Sequence, residues 1–325
     1  MADEVESMAF ANETPWHGLG YQVQSNISTD EMLKASGLDW QVVKEPLYLQ
    51  DNIEVPKMHA VVRSTDRKVI SIVGSTYKVT QNSDVFEFFR KFVEAGDMEL
   101  ETAGSLKGGQ YVWCLARVKK DFTIGKDDEM RSYLLLCNPH IYGYSRTVKF
   151  TSVRVVCWNT LNFALGAALN GKRTPGRSFS IPHSIEFNDV AKAAAERALG
   201  IAMEQAAEYE EAVKVFAKTK MKSDMILDYF HEVLKYDPQK AKVRKDGTLR
   251  IPSMLNKFKE ALEVAPGHDL KSSKGTLWGA LNAVTYVIDH EMGRTRDNGL
   301  TGAWFGYTGD IKKLAFQIAL EKTKK

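Results

Sequence analysis

The spacing of apolar residues changes near the middle of this 325-residue chain. Up to about residue 157 they fall in short runs rich in β-branched and aromatic side chains, the composition of strands. These runs are "WQVVKEPLYL", "HAVVRS", "KVISIVG", "YKVTQ", "MELETAG", "QYVWCLARV", "SYLLLC", "GYSRTVKF" and "SVRVVC". Two helical patterns interrupt them. Ser28 and Glu31 stand at capping-box spacing ahead of a short helix that stops near Gly37. Asn82 or Ser83 is placed to cap a second helix, in which Val85, Phe88, Phe89 and Phe92 share one stripe.

From Trp158 the period lengthens. Trp158, Leu161, Leu165, Ala168 and Leu169 mark a helical face that ends at Asn170-Gly171. The Ala-rich run that follows reads as one helix of about 30 residues, about 45 Å long. Shorter helices are predicted at "SDMILDYFHEVLK", "SMLNKFKEALEV", "GTLWGALNAVTYVIDHEM" and "GDIKKLAFQIALEK". Between the first two lies a basic loop, 235–250, with the Pro and Gly of a linker. The pattern predicts an α+β protein. Residues 1–187 form a sheet-rich, mostly antiparallel region with interspersed helices, and residues 188–325 form a helical region around the long Ala-rich helix.

Charge sharpens this picture. The net charge is only +3, yet Arg131–Ile185 holds seven Lys or Arg and no Asp or Glu, which leaves −4 for the rest. Burial explains missing acids in a strand, but not retained cations. Read as one strand, "IYGYSRTVKF" puts Tyr142, Tyr144 and Arg146 on one face with Val148 and Phe150, and Lys149 on the other. Rings beside cations suit single-stranded nucleic acid, whose bases stack while phosphates are neutralised. Lys149 and Arg154 add charge along the strand. Lys172, Arg173 and Arg177 crowd a Gly- and Pro-containing turn that could follow a backbone without reading bases. The structural alternative is a core strand with tyrosines closing its surface, followed by cations at a helix C-terminus, where the dipole favours them.

Other constellations point elsewhere. No GxxxxGK[ST] occurs, and "SSKGTLWG" has Lys and Gly in the wrong order for a phosphate loop. Asp289, His290, Glu291 and Asp297, with Arg294 and Arg296, sit close together at a predicted helix end. They form the acid or metal cluster that a metal-dependent nuclease would need, although consecutive helical residues point apart. His17 fits an aromatic turn. Three cysteines without a CxxC argue for a reducing, cytoplasmic setting, and no window approaches the apolar length of a membrane span.

"ETPWHGLG", "VRVVCWNTLNFAL", "TYVIDHEMGRTRDNG" and "FGYTGDIKKLAFQIAL" together resemble a phage- and plasmid-borne family, domain of unknown function 932. The resemblance implies a setting of replication, recombination or host-defence conflict in a bacterial cell, and no established activity. The overall plan also looks like the ring-forming single-strand annealing proteins of the RecT and Red-beta type. The expectation is a sequence-independent single-stranded DNA-binding and annealing protein without cofactor, metal or ATP, acting as a ring or filament of identical subunits. A nuclease, or an interaction protein that blocks a host defence system, is the alternative.

Overall fold

A computed structural model describes residues 5–12, 19–154, 159–162, 179–187, 200, 204, 207–243, 249–292 and 307–324. The main sheet has eight strands. β1 (Val5–Phe10), β2 (Tyr21–Gln22), β6 (Met98–Leu106), β7 (Tyr111–Ile124), β8 (Asp128–Pro139), β9 (Arg146–Arg154) and β10 (Asn159–Asn162) run in the order β10-β9-β8-β7-β6-β1-β2. The last strand, β11 (Phe179–Ile181), also pairs with β9. Every pairing in this sheet is antiparallel except β1 with β2. A second, three-stranded antiparallel sheet is built from β3 (Val42–Tyr48), β4 (Glu54–Arg63) and β5 (Val69–Gly74).

Helix α1 (Thr29–Ala35) begins as the sequence predicts. The Ser28 hydroxyl accepts from Glu31 N, and the Glu31 carboxylate accepts in return from Ser28 N. Helix α2 (Asn82–Glu94) buries Val85, Phe88, Phe89 and Phe92 on β6, β7 and β8, and Phe86 with them. Its cap is Gln81, not Asn82 or Ser83. Asn82 is drawn inwards, donating to the Leu38 and Trp40 carbonyls. "YKVTQ" is not a strand, because its polar groups bond outside any ladder. The Gln81 amide pairs with both backbone groups of Val42, and Lys78 N donates to the His183 carbonyl.

"GYSRTVKF" and "SVRVVC" contribute to one strand, β9. The helix predicted from Trp158 gives way at 159–162 to β10, whose residues pair with Thr151–Arg154. The ladder overrides the helical spacing because β9 offers an open edge there. β11 takes the other half of that edge, pairing with Arg146–Val148.

In the helical region, α3 covers 207–218, the described end of the predicted Ala-rich helix. It is followed by α4 (Ser223–Val233), α5 (Ser253–Val264), α6 (Leu277–Tyr286) and α7 (Tyr307–Lys322), and α6 runs into a π turn, Val287–Glu291. One buried cluster runs from Ala9 to Leu320 through both regions. The change near residue 187 is therefore a change of element type within a shared core. Asp128, at the start of β8, ties the two together. Its carboxylate accepts from Ser272 Oγ at 2.6 Å and Trp278 Nε1 at 2.9 Å, fully inside the protein. Cys114 and Cys137 form no disulfide with each other and are buried in clusters on opposite faces of the main sheet.

Candidate nucleic-acid interface

The β6–β7 and β8–β9 turns lie side by side at one end of the main sheet, because Tyr111 pairs with Pro139. In the first turn Lys107, Gly108 and Gly109 all have positive φ. Lys68 reaches across this turn, its Nζ lying over Gly108, where the positive φ of 67° favours glycine. The second turn holds Tyr142 and Tyr144, with Gly143 between them at φ 85°.

The strand begins only at Arg146, so the alternation expected from "IYGYSRTVKF" fails at its first half. Tyr142 is 75% exposed and Tyr144 46%. Tyr144 stands edge-on to Tyr111, with ring centroids 5.8 Å apart, and Lys107 Nζ lies 5.9 Å from the Tyr111 centroid. The result is a pair of exposed tyrosines on a turn whose neighbour carries Lys107. Sequence spacing could not show Lys107 here, since only the pairing of Tyr111 with Pro139 brings its turn beside the tyrosine turn.

Arg146 corrects the sequence reading. It does share a face with Val148 and Phe150, but that is the core face, and Arg146 is 1% exposed. Its Nη2 donates to the carbonyls of Pro182 at 2.5 Å and Ile185 at 2.6 Å, its Nε donates to that of Ile181 at 3.4 Å, and the guanidinium lies over Phe187. It cannot reach a phosphate. Of the other cations, Arg131 pairs with Glu129 at 2.9 Å. Lys149 and Arg154 belong to β9, but their side chains, like Lys172, Arg173 and Arg177, lie outside the described residues.

Beneath the tyrosine turn is a buried polar group. His140 Nε2 bonds Asn82 Oδ1 at 3.0 Å, His183 stacks on Tyr77 at 4.5 Å, and His183 Nδ1 lies 3.2 Å from the Lys78 carbonyl. Burial, then the neighbouring His183, holds His140 down to about 3; burial, then Arg146, holds His183 down to about 4. Both rings are neutral at physiological pH. Burial also raises the Asp84 carboxyl above its usual range. This group fixes the start of α2 and the return at 181–187 against the end of β8.

The described members of the alternative acid cluster each have a partner outside it. Asp289 is buried in an ion pair with Lys312 at 2.6 Å, Glu291 faces Lys257 at 3.3 Å, and His290 packs against Tyr286. Among the described residues no three His, Cys, Asp or Glu side chains gather as a metal site. Asp297 and His17 lie outside them. In "SSKGTLWG" the Thr276 hydroxyl caps α6, accepting from Gly279 N at 3.1 Å. Its part is structural.

Among the described residues no helix is long and apolar enough to cross a membrane. Comparison with curated proteins and with solved structures returned no match. The segment "ETPWHGLG" precedes the span that a family profile recognises, whereas β5 to β11, the tyrosine turn and α4 to α6 all fall inside it. That profile covers residues 69–304, well over half of the sequence, and the chain belongs to the family described as Domain of unknown function (DUF932).

Proposed function

We propose that the protein binds single-stranded DNA irrespective of sequence and promotes annealing of complementary strands without ATP. The observation that carries this reading is the exposed Tyr142 and Tyr144 in a 55-residue stretch devoid of carboxylates, with Tyr144 against Tyr111 and Lys107 of the adjoining turn over the Tyr111 ring. Unpaired bases offer flat faces to such rings, at about 1–3 kcal/mol per stacked base. Phosphates are met by cations without regard to base identity. Lys149, Arg154, Lys172, Arg173 and Arg177 remain the proposed phosphate contacts, and Lys107 joins them in place of Arg146, whereas Lys68 faces Glu6 at 4.0 Å. A strand held by its phosphates keeps its bases open to a complement, so annealing calls for no bond chemistry. The phage or plasmid setting, the likeness to RecT-type proteins, and assembly into a ring or filament belong to the same proposal.

The test is fluorescence anisotropy of a labelled single strand across a salt series, with annealing of complementary oligonucleotides followed in the absence of nucleotide. A straight line of log affinity against log salt, steepening by about 0.7 per phosphate contacted, is expected. Faster annealing without ATP should accompany it. No affinity for single strands at low salt overturns the proposal. Strand cleavage on addition of magnesium replaces it with the nuclease reading.

A further inference from the structure

The two described parts of the basic loop, 235–243 and 249–250, are joined by more structure than a linker has. Val243 and Leu249 form an antiparallel bridge, and Arg250 N donates to the Lys242 carbonyl at 2.8 Å. Lys242 and Arg250 are therefore cross-strand neighbours, on the face opposite Val243 and Leu249. Both are exposed. Like charges directly opposite each other weaken a two-stranded pair, and among the described residues neither cation has a carboxylate partner. Lys240, by contrast, is paired with Asp237 at 3.1 Å. Folding by itself gives no reason to set these two cations together, whereas a polyanion laid across them removes the repulsion.

The other face decides what kind of contact this is. Val243, Leu249 and Ile251 are 63%, 43% and 41% exposed, all aliphatic. A base has no ring here to stack on, so the chemistry that remains is with phosphates, which single and double strands share. Two-stranded ribbons also fit the major groove of a duplex. We infer that Lys242 and Arg250 form a second nucleic-acid contact, one that grips the phosphate backbone of single and double strands alike. This rests on the proposed annealing function and deepens it. The tyrosine turn favours unpaired strands, and the ribbon keeps hold of the paired product.

The test compares K242A/R250A with the parent on a labelled single strand and on a duplex of the same length. Both residues are exposed, so the variant should melt like the parent. Binding to both DNA forms should weaken roughly tenfold, and the salt slopes should flatten by about 1.4 for the single strand and about 1.8 for the duplex. Y142A should weaken only the single-strand complex. If the folded double variant keeps parental duplex affinity, or the parent binds single strands but no duplex, the ribbon contact is refuted and the annealing proposal stands. If the parent binds no DNA of either form, both fall. V243S/I251S should bind like the parent. Loss of binding there but not in K242A/R250A, or parental binding to phosphatidylserine vesicles and not to duplex, assigns the ribbon to an apolar or lipid partner and refutes the inference.

Discussion

Tyr142 and Tyr144 differ in what holds them. Tyr142 has most of its surface in solvent, whereas Tyr144 leans on Tyr111. Y142A should weaken single-strand binding by about 1–3 kcal/mol with no change in melting temperature or salt slope, and Y142F should restore it. Y144A should show the same loss with a small drop in melting temperature. Anisotropy and thermal melts on the same samples separate the two. Arg146 behaves oppositely. R146A leaves three carbonyls without their donor and should destabilise the protein by about 2–4 kcal/mol in urea titration, without the salt-slope change of a lost phosphate contact. The period-two alternation of 146, 148 and 150 was legible in the sequence, but which face was the core was not, because a cation on that strand reads as exposed. The histidines make the fold sensitive to acid. The unfolded chain takes up protons below about 6.5 while His140 and His183 in the fold do not until about 3 and about 4. Stability is thus fully present above pH 6.5 and is lost as pH falls towards those values, by up to about 1.4 kcal/mol per pH unit for each ring. Urea midpoints at pH 7.5 and 5 should differ in that sense, and H183Q should narrow the difference.

At the scale of elements, α1, α2, α4 and α5 were readable because cap chemistry or an amphipathic stripe specifies them locally. The phenylalanine stripe of α2 needs only its own period to be recognised. β10 and β11 were not readable, since four and three residues carry little pattern and both exist only because β9 offers an edge. The acid cluster at the end of α6 was misread for a related reason: the partner of Asp289 is Lys312, on a helix that begins beyond the cluster. With side chains 8% and 1% exposed, this is a buried pair. Removing one partner leaves an uncompensated buried charge, so K312M should cost about 3–5 kcal/mol. Replacing both, as in D289L/K312M, should recover most of that loss in the same denaturation assay. The proposed nuclease ligand Asp289 is accordingly a packing residue in this arrangement.

For the whole molecule, the alternating half and the helical half were foreseeable, and the common core joining them was not, because contacts between distant segments leave no local trace. The sheet also constrains assembly. β10 and β11 together occupy the outer edge of β9 over seven of its nine residues, and at the opposite end β2 has only two residues. Strand addition at either end is therefore a poor route to a larger sheet. A homo-oligomer larger than a dimer is still expected, built through side-chain faces, and mass photometry with and without DNA checks it; a strict monomer in both conditions removes the ring or filament. Asp128 has a further consequence, in time and not in space. Its bonds to Ser272 and Trp278 span 144 and 150 residues of chain. Closing so long a loop is slow and comes after local structure, so this junction should form after the folding barrier and act as a brake on opening. D128N should then accelerate unfolding severalfold in stopped-flow denaturant jumps while leaving the refolding rate almost untouched. The lifetime of the native protein, more than its speed of formation, would rest on that one carboxylate.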